Sequence, residues 1–295
     1  MSRPEIAIHD WLPELISIVN EAGVAISALF EAQQRGGNVG LSTKADRSPL
    51  TEADRRAHEI ICRRLRLLTP ERAIVSEEDA AQPGSEAAQA PGTAGQGVHE
   101  HPGAGDAWWL VDPLDGTREF VSGFPEFTVN IALVQAQRPV FGIVHVPMLG
   151  QCYWGVPGQG AWVEDARGRR PIHCARVPDR GPDGAFMRPL RILASRQHLT
   201  EATQAWIAAH APHEVKRFGS SLKFCRIAEG EGDCYPRLGP TAPWDTAAAQ
   251  AVVEGAGGHV LRAGGTPLRY DGTRDLNPDF LVLGDISACR RPPSI

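Results

Sequence analysis

The run Trp-Leu-Val-Asp-Pro-Leu-Asp-Gly-Thr at positions 109–117 is the most informative part of this chain. Its apolar beginning is typical of a buried strand, and it delivers Asp112 and Asp115 three residues apart. Two carboxylates held close together repel each other, so a fold that concentrates them usually holds a cation between them. Gly116 and Thr117 can direct backbone N–H groups at an anion, especially where a helix begins. The run therefore predicts a cation beside an anion, which favours metal-assisted chemistry on a phosphate.

Arg118 is the basic residue nearest to these aspartates in the sequence, and a salt bridge to it is the simplest alternative to a metal. Pro113 fixes the backbone between the aspartates and removes one hydrogen-bond donor. Asp112 and Asp115 cannot neutralise each other. We therefore expect a hard divalent cation, with Mg²⁺ as the default at a phosphate site.

Three further acids stand at the boundaries of predicted elements: Asp54 at a helix start, Glu77 after a short apolar run, and Asp245 before an alanine-rich run. Each also has a simpler interpretation. Asp54 would stabilise a helix N-terminus by roughly 0.3–1 kcal/mol. Asp245 would be an N-cap that contributes about 1 kcal/mol. Glu77 would be an exposed loop acid.

Composition excludes some classes of protein. The chain has 295 residues, 42% of them hydrophobic and 22% charged, as in ordinary soluble domains. Its net charge of −5 argues against nucleic acid as the main partner. The six cysteines lack C-x-x-C or zinc-ligand spacing, which predicts reduced thiols in a cytoplasmic protein. We expect no signal peptide and no run of the ~20 apolar residues that a membrane span needs. Peripheral membrane contact and the oligomeric state stay open.

Hydrophobic periodicity predicts helices over residues 11–32 and 51–68. Short strands at 73–76 and 108–112 follow. Further strand-like runs separated by turns predict an antiparallel meander, at 127–134, 140–146, 152–155 and 161–163. Beyond them we expect strands at 190–195 and 280–283, and helices at 200–209, 221–229 and 246–256.

Two segments divide this pattern. Residues 80–106 are rich in Ala, Gly, Pro and Gln and contain one large aliphatic residue, Val98, so we expect a mobile insertion that cannot bury enough surface to order itself. The Pro- and Gly-rich residues 176–188 predict a lobe boundary. The first lobe, 1–186, would carry most metal ligands. The second, 187–295, would carry Asp245 and the residues that select the substrate.

Several motifs together resemble the inositol monophosphatase superfamily of Mg²⁺-dependent, Li⁺-sensitive phosphatases. They are Ser-Glu-Glu at 76–78, Asp-Pro-Leu-Asp-Gly-Thr at 112–117, Trp-Asp-x-Ala-Ala at 244–248 and Ala-Gly-Gly at 256–258. Three further strings are similar to the bacterial 3′(2′),5′-bisphosphate nucleotidase (CysQ-type) branch: Lys-Ala-Asp-x-Ser-Pro-x-Thr at 44–51, Gly-Ser-Ser-Leu-Lys-Phe-Cys at 219–225 and Tyr-Pro-Arg-x-Gly-Pro-Thr at 235–241. The resemblance runs from about residue 14 to 283 and fails over 80–106.

The resemblance implies a layered α/β sandwich of the order α-β-α-β-α. An antiparallel-sheet lobe with two long helices would adjoin a smaller mixed α/β lobe. Two Mg²⁺ ions would be held by Glu77, Asp112, the Leu114 carbonyl, Asp115 and Asp245. A third ion, bound through water by Glu78, is left open.

The resemblance also implies the roles of the reacting groups. Asp54 and Thr117 would form a hydrogen-bonded pair that activates the attacking water. Substrate contacts would come from Glu77, Leu114, Asp115, Gly116, Thr117, His198, Ser220, Lys223, Arg237 and Asp245. Of these, Ser220, Lys223 and Arg237 could hold a second phosphate that is not cleaved. Their simpler interpretation is an ordinary helix with a solvated lysine and a surface arginine, and His198 could be structural.

The implied reaction is hydrolysis of the 3′-phosphate of adenosine 3′,5′-bisphosphate to AMP and phosphate, by direct attack of a metal-activated water. It would clear a by-product of sulfate assimilation, and 3′-phosphoadenylyl sulfate is a second expected substrate. Alternatives are an inositol or sugar phosphatase on the same metal core, a catalytically silent sensor of adenosine bisphosphate, and a scaffold that recruits a partner through residues 80–106. The expected location is the cytoplasm, with attachment to the cytoplasmic face of the inner membrane left open.

Overall fold

The computed structural model describes residues 8–37, 40–43, 49–80, 106–197, 199–273 and 275–295. The helices there are α1 (Ile8–Gln34), α2 (Glu52–Leu68), α3 (Thr117–Val121), α4 (Glu201–Ala209), α5 (Leu222–Ala228) and α6 (Ala247–Gly255). The strands are β1 (Ser42–Thr43), β2 (Pro49–Leu50), β3 (Ile74–Ser76), β4 (Trp108–Asp115), β5 (Thr128–Gln135), β6 (Arg138–Val146), β7 (Gln151–Val156), β8 (Gly160–Asp165), β9 (Gly168–Ile172), β10 (Leu190–Ser195), β11 (His213–Phe218), β12 (Cys234–Arg237), β13 (His259–Arg262) and β14 (Phe280–Leu283).

The first large sheet has seven strands in the order β3-β4-β5-β6-β7-β8-β9. From β4 to β9 every neighbouring pair is antiparallel, which confirms the predicted meander. The predicted strand at 73–76, to which no pairing was assigned from the sequence, adds a parallel edge to this sheet, because β3 pairs with β4 in parallel. A parallel pair requires a long crossover connection, and residues 77–107 provide the length for it.

The second large sheet has five strands in the order β11-β10-β12-β14-β13 and is mixed, as expected. The predicted strands at 190–195 and 280–283 are present, but periodicity missed β11, β12 and β13. β11 carries charges at three of its six positions and is an edge strand. β12 is four residues long and contains Pro236. Neither segment has the apolar alternation that identifies a strand from sequence.

The helices form layers on and between the sheets. α1 and α2 pack on the first sheet in one apolar cluster. α5 and α6 lie between the two sheets and share a second cluster with residues of both. A Cβ added to Gly142 of β6 would lie 2.1 Å from the Ala248 carbonyl oxygen, so the backbones of the strand and α6 are in close contact. α4 packs on the outer face of the second sheet. The α-β-α-β-α order is therefore confirmed.

Helix α1 is long and apolar enough, by length and composition alone, to cross a membrane. The expectation from the sequence concerned unbroken apolar runs, and α1 is not such a run because Asp10, Glu14, Glu21 and Glu31 interrupt it. That expectation stays a prediction. In the fold, α1 buries Leu15, Ile18 and Phe30 in the cluster that it shares with α2 and the first sheet. One face of α1 is therefore packed against the rest of the protein, as in an amphipathic helix.

Two predictions about the middle of the chain remain predictions. Apart from its two end residues, the insertion at 80–106 lies outside the described residues. The lobe boundary after residue 186 falls in the connection between β9 and β10, where the chain passes from the first sheet to the second.

Candidate metal and phosphate site

Asp112 and Asp115 lie at the end of β4, where the strand departs from regular pairing. In a regular strand, side chains three residues apart point to opposite faces. The pairing of β4 with β5 shifts register between Asp112 and Asp115, and such an irregularity redirects side chains. The Leu114 N–H donates to Asp112 Oδ1 at 3.1 Å. Gly116 then adopts a φ of 92°, which suits glycine, and α3 begins at Thr117.

Asp245 reaches the same point from the 3₁₀ turn that precedes α6. One carboxylate oxygen from each of Asp112, Asp115 and Asp245 lies within 4.8 Å of the others. Asp245 Oδ2 accepts a hydrogen bond from the Ala242 N–H at 2.9 Å. The simpler interpretation, in which Asp245 caps the alanine-rich helix, is wrong, because Thr246 occupies the cap position of α6.

Asp112 is buried and Asp115 and Asp245 are partly buried, and no ion pair is formed by any of the three among the described residues. Asp112 is 1% exposed, and its Oδ2 has no hydrogen-bond partner among the described residues. Burial, followed by the charges of Glu77 and Asp115, raises the pKa of Asp112 well above its usual range. Burial and the charge of Asp115 also raise the pKa of Asp245 well above its usual range. The cluster therefore fits a divalent cation, which would supply the missing positive charge.

A salt bridge to Arg118 does not neutralise this cluster. Arg118 is exposed in the first turn of α3. Within the described ranges, no ion pair includes Arg118, Asp112 or Asp115. The alternative of a salt bridge to Arg118 is therefore wrong for Asp112 and Asp115.

Glu77 and Glu78 open the 3₁₀ turn that directly follows β3. β3 is parallel to β4 with Ser76 opposite Val111, so Glu77 leaves its strand beside Asp112. Glu77 is half-buried, Glu78 is 5% exposed, and the charge of Glu77 contributes to the raised pKa of Asp112. The interpretation of Glu77 as an exposed loop acid is therefore wrong.

Asp54 and Thr117 are hydrogen-bonded to each other. Thr117 Oγ1 donates to Asp54 Oδ1 at 3.1 Å and lies 3.2 Å from the Leu114 carbonyl oxygen. The other oxygen of Asp54, Oδ2, accepts from the N–H and the hydroxyl of Thr51 at 2.7 and 2.5 Å. These contacts complete a capping box at the start of α2. Asp54 thus completes the capping box of α2 through one oxygen and accepts a hydrogen bond from Thr117 through the other.

Lys223, in the first turn of α5, is 4% exposed. Its Nζ donates to the Ser220 carbonyl oxygen at 2.5 Å and lies 5.3 Å from the centre of the Tyr235 ring. Burial lowers the pKa of Lys223 to about 8, although the charge of Asp115 opposes the change. The interpretation of Lys223 as a solvated lysine is therefore wrong.

A cleft of about 600 Å³ connects these groups. Of the predicted site residues, it is lined by Asp115, Gly116, Thr117, Ser220, Lys223, Arg237 and Asp245. Glu77, Asp112 and Leu114 are not among its lining residues. His198 lies outside the described residues, although its neighbours Gln197 and Leu199 line the cleft. Arg237 is half-buried; its Nη2 donates to the Pro240 carbonyl at 2.7 Å, and its Nε has no partner among the described residues.

Sequence reasoning missed the polar residues that hold Asp115. The Ser221 N–H donates to Asp115 Oδ2 at 2.6 Å, and the Ser221 hydroxyl lies 2.8 Å from Asn130 Oδ1 and 2.8 Å from the Thr128 hydroxyl. Thr128 and Asn130 are two residues apart and therefore share a face of β5. Polar residues on one face of an otherwise apolar strand were the signal that could have found them.

The chain is similar to known proteins over nearly its whole length. Residues 11–282 match the family model described as the inositol monophosphatase family. Over 272 residues the chain is 38% identical to the 3′(2′),5′-bisphosphate nucleotidase CysQ of Escherichia coli K12, with 92% of this chain and 98% of that protein covered. The crystal structure of CysQ from Bacteroides thetaiotaomicron is 34% identical, with a TM-score of 0.71 and coverage of 91% and 95%. An inositol monophosphatase from Thermotoga maritima, at 22% identity and a TM-score of 0.68 over 93% and 92%, shares the fold.

Proposed function

Because the chain belongs to the inositol monophosphatase family, as its motifs predicted, we propose that it hydrolyses the 3′-phosphate of adenosine 3′,5′-bisphosphate to AMP and phosphate. The observation that carries this proposal is the group of three carboxylates, one buried and two partly buried, that lie within 4.8 Å of one another at the edge of a cleft. The similarity to CysQ nucleotidases supports the choice of substrate. The resemblance of the motifs, rather than the names of the relatives, is the basis for proposing 3′-phosphoadenylyl sulfate as a second substrate and sulfate assimilation in the cytoplasm as the setting.

Glu77, Asp112, Asp115, Asp245 and the Leu114 carbonyl would hold two Mg²⁺ ions, with Glu78 available to a third through water. Carboxylate and carbonyl oxygens are the ligands that Mg²⁺ prefers. Bound there, the ions would neutralise charge on the phosphoryl group and make a water molecule more acidic. Asp112 Oδ2, which is buried and has no hydrogen-bond partner in the described part of the chain, is the ligand atom that most directly indicates a cation.

The chain's own residues would move the proton and hold the phosphoryl group. Thr117 Oγ1 donates to Asp54, so its lone pairs can accept a hydrogen bond from the attacking water. A proton leaving the water can then pass through Thr117 to Asp54 Oδ1. The N–H groups of Gly116 and Thr117, at the start of α3, would bind phosphoryl oxygens. As the new P–O bond forms, the bond to the ribose 3′-oxygen breaks and that oxygen takes up a proton.

The second lobe, 187–295, would select the substrate by binding the phosphate that is not cleaved. Lys223 provides a buried positive charge, and Arg237 provides an N–H donor, at Nε, that has no partner among the described residues. Ser220 and His198 would complete this contact. The reacting phosphate would lie against residues of the first lobe, 1–186, so both lobes would be needed for turnover.

Phosphate release from adenosine 3′,5′-bisphosphate and from inositol 1-phosphate, each with Mg²⁺, tests the proposal. We expect the bisphosphate to be the better substrate, and predominant turnover of inositol 1-phosphate would overturn the assignment. Asp54→Asn should keep nucleotide binding and abolish turnover. A wild-type protein that binds the bisphosphate but does not hydrolyse it with Mg²⁺ would be a sensor instead.

Lys223→Met tests the specificity argument, with Lys216→Met on the exposed edge strand β11 as the matched control. We expect Lys223→Met to raise the KM for adenosine 3′,5′-bisphosphate about tenfold, the effect of losing ~1.4 kcal/mol of binding, and to affect 3′-AMP much less. Lys216→Met should leave both substrates unchanged. Equal losses for both substrates would remove Lys223 from the specificity argument.

A further inference from the structure

An ion pair connects the segment before β5 of the first sheet to the segment after β10 of the second sheet. It lies outside the carboxylate cluster. Glu126 lies in the connection between α3 and β5, and Arg196 directly follows β10. Arg196 Nη2 donates to Glu126 Oε1 at 2.8 Å, and Arg196 Nε donates to Oε2 at 3.2 Å. The Arg196 guanidinium also lies 5.4 Å from the centre of the Phe124 ring. The two side chains are 34% and 19% exposed, so the pair is partly protected from solvent.

Glu126 also holds a turn of the second lobe. Its Oε2 accepts a hydrogen bond from the Gly219 N–H at 2.6 Å. A Cβ added to Gly219 would lie 2.7 Å from the Glu126 carbonyl oxygen and 2.9 Å from Glu119 Cγ, so this turn is pressed against the first lobe. Ser220 follows with a φ of 47°, a conformation that is uncommon for a residue other than glycine. Surrounding contacts must therefore maintain the turn at residues 219–221.

The turn at residues 219–221 contacts both Asp115, in the carboxylate cluster, and Lys223, in the proposed phosphate subsite. The Ser221 N–H donates to Asp115 Oδ2 at 2.6 Å. The Ser220 carbonyl accepts from Lys223 Nζ at 2.5 Å, and the Ser220 hydroxyl lies 2.6 Å from the Thr128 hydroxyl. A displacement of this one turn would alter the surroundings of the carboxylate and of the ammonium together.

We infer that Glu126 and Arg196 are positioning residues that fix the turn at 219–221 and thereby couple metal binding at Asp115 to phosphate binding at Lys223. Neither residue is assigned a contact with the substrate or the metal. The inference rests on the proposed function for the roles of Asp115 and Lys223. It adds that the inter-lobe ion pair sets the affinity of both subsites at once.

The test combines kinetics with direct metal titration. In Glu126→Ala and Arg196→Met, we expect the KM for adenosine 3′,5′-bisphosphate to rise about tenfold, below the ~100-fold loss that a 1 Å misplacement can cause. Calorimetric titration with Mg²⁺ alone should show weaker binding in the same variants. Glu126→Gln, which keeps an oxygen acceptor for the Gly219 N–H, should recover part of both losses. Gly219→Ala, which displaces the turn without changing charge, should reproduce them.

The matched control is Arg138→Met, because Arg138 and Glu254 form a pair of similar geometry and burial away from the cleft, at 2.7 Å and with 32% and 12% exposure. We expect it to lower stability while leaving the KM and the Mg²⁺ affinity unchanged. Unchanged KM and Mg²⁺ affinity in Glu126→Ala would overturn the inference, as would equal losses in Arg138→Met. If the wild type released no phosphate from the bisphosphate, the proposed function would fail, whereas the Mg²⁺ titration would still decide the inference.

Discussion

Two buried aspartates in this chain have opposite surroundings. Asp233 is 0% exposed and accepts hydrogen bonds from Arg188 and Arg191, the shortest at 2.6 and 2.7 Å. Burial alone would raise the pKa of Asp233, but the two arginines hold it below its usual range. Asp112 is 1% exposed, has acids for neighbours, and has a pKa raised well above its usual range.

The difference shows what distinguishes a structural carboxylate from a ligand. Burying a charge is costly unless an opposite charge or hydrogen bonds compensate for it. At Asp233 the fold supplies the compensating charges itself. At Asp112 it supplies more negative charge instead, next to an open cleft. A buried cluster of this kind therefore indicates a functional site, at which a bound cation would compensate for the repulsion.

The largest expected effect separates the two aspartates by activity. Asp112→Asn should lower kcat by about 10³-fold or more, the scale of losing a preorganised charge stabiliser. The free energy of unfolding of the metal-free variant should rise, because one of several repelling carboxylates is removed. Phosphate release and urea unfolding in EDTA measure the two effects. A variant that is inactive and also less stable would contradict the assignment of Asp112 as a ligand.

Asp233→Asn should show the reverse pattern. Removing this carboxylate leaves Arg188 and Arg191 without their counter-charge, which should cost about 3 kcal/mol, the lower end for a broken buried pair because both arginines are partly exposed. Specific activity of the folded protein should stay near the wild-type value. Urea unfolding and activity at a temperature well below the transition check this. A stability equal to that of the wild type would contradict the assignment of Asp233 as a structural carboxylate.

The layers of the fold and the meeting of Asp245 with Asp112 and Asp115 were implied by the resemblance, whereas periodicity predicted the meander and the long helices, and physical reasons explain what was missed. The meander and the long helices have strong apolar periodicity, and Asp112, Asp115 and Asp245 stand next to such elements. Strands β11 to β13 lack that periodicity, because they are short, charged or interrupted by Pro236.

Contacts between distant segments were beyond prediction from one sequence. Glu126 and Gly219 are 93 positions apart, and nothing local to either residue indicates that they meet. The register shift that lets Asp112 and Asp115 reach one point depends on the pairing of β4 with β5. The roles of individual site residues were implied by the resemblance, and they stay predictions that the variants proposed here test.

Mg²⁺ should stabilise only those proteins whose carboxylate cluster is intact, which gives a second way to separate Asp112 from Asp233. At 100 times its dissociation constant, a ligand that binds the folded state alone adds about 2.7 kcal/mol to the free energy of unfolding. We expect a gain of this size in the wild type and in Asp233→Asn, whose carboxylate cluster is intact. In Asp112→Asn the gain should largely disappear. Thermal unfolding with and without Mg²⁺ measures it, and an equal gain in all three proteins would argue that Mg²⁺ binds elsewhere.

Lowering the pH should remove the stabilisation of the fold that the Asp233 carboxylate provides. This is the smallest of the expected effects. The pKa of this carboxyl is lower in the folded protein than the ~3.9 of an unfolded chain. Its stabilising effect is therefore present above the unfolded value and is lost as pH falls through the folded one. The difference in free energy of unfolding between the wild type and Asp233→Asn should be constant above about pH 5 and shrink steadily below pH 4. A difference that persists at the lowest pH at which both proteins fold would mean that the two arginines stabilise Asp233 by packing rather than by charge.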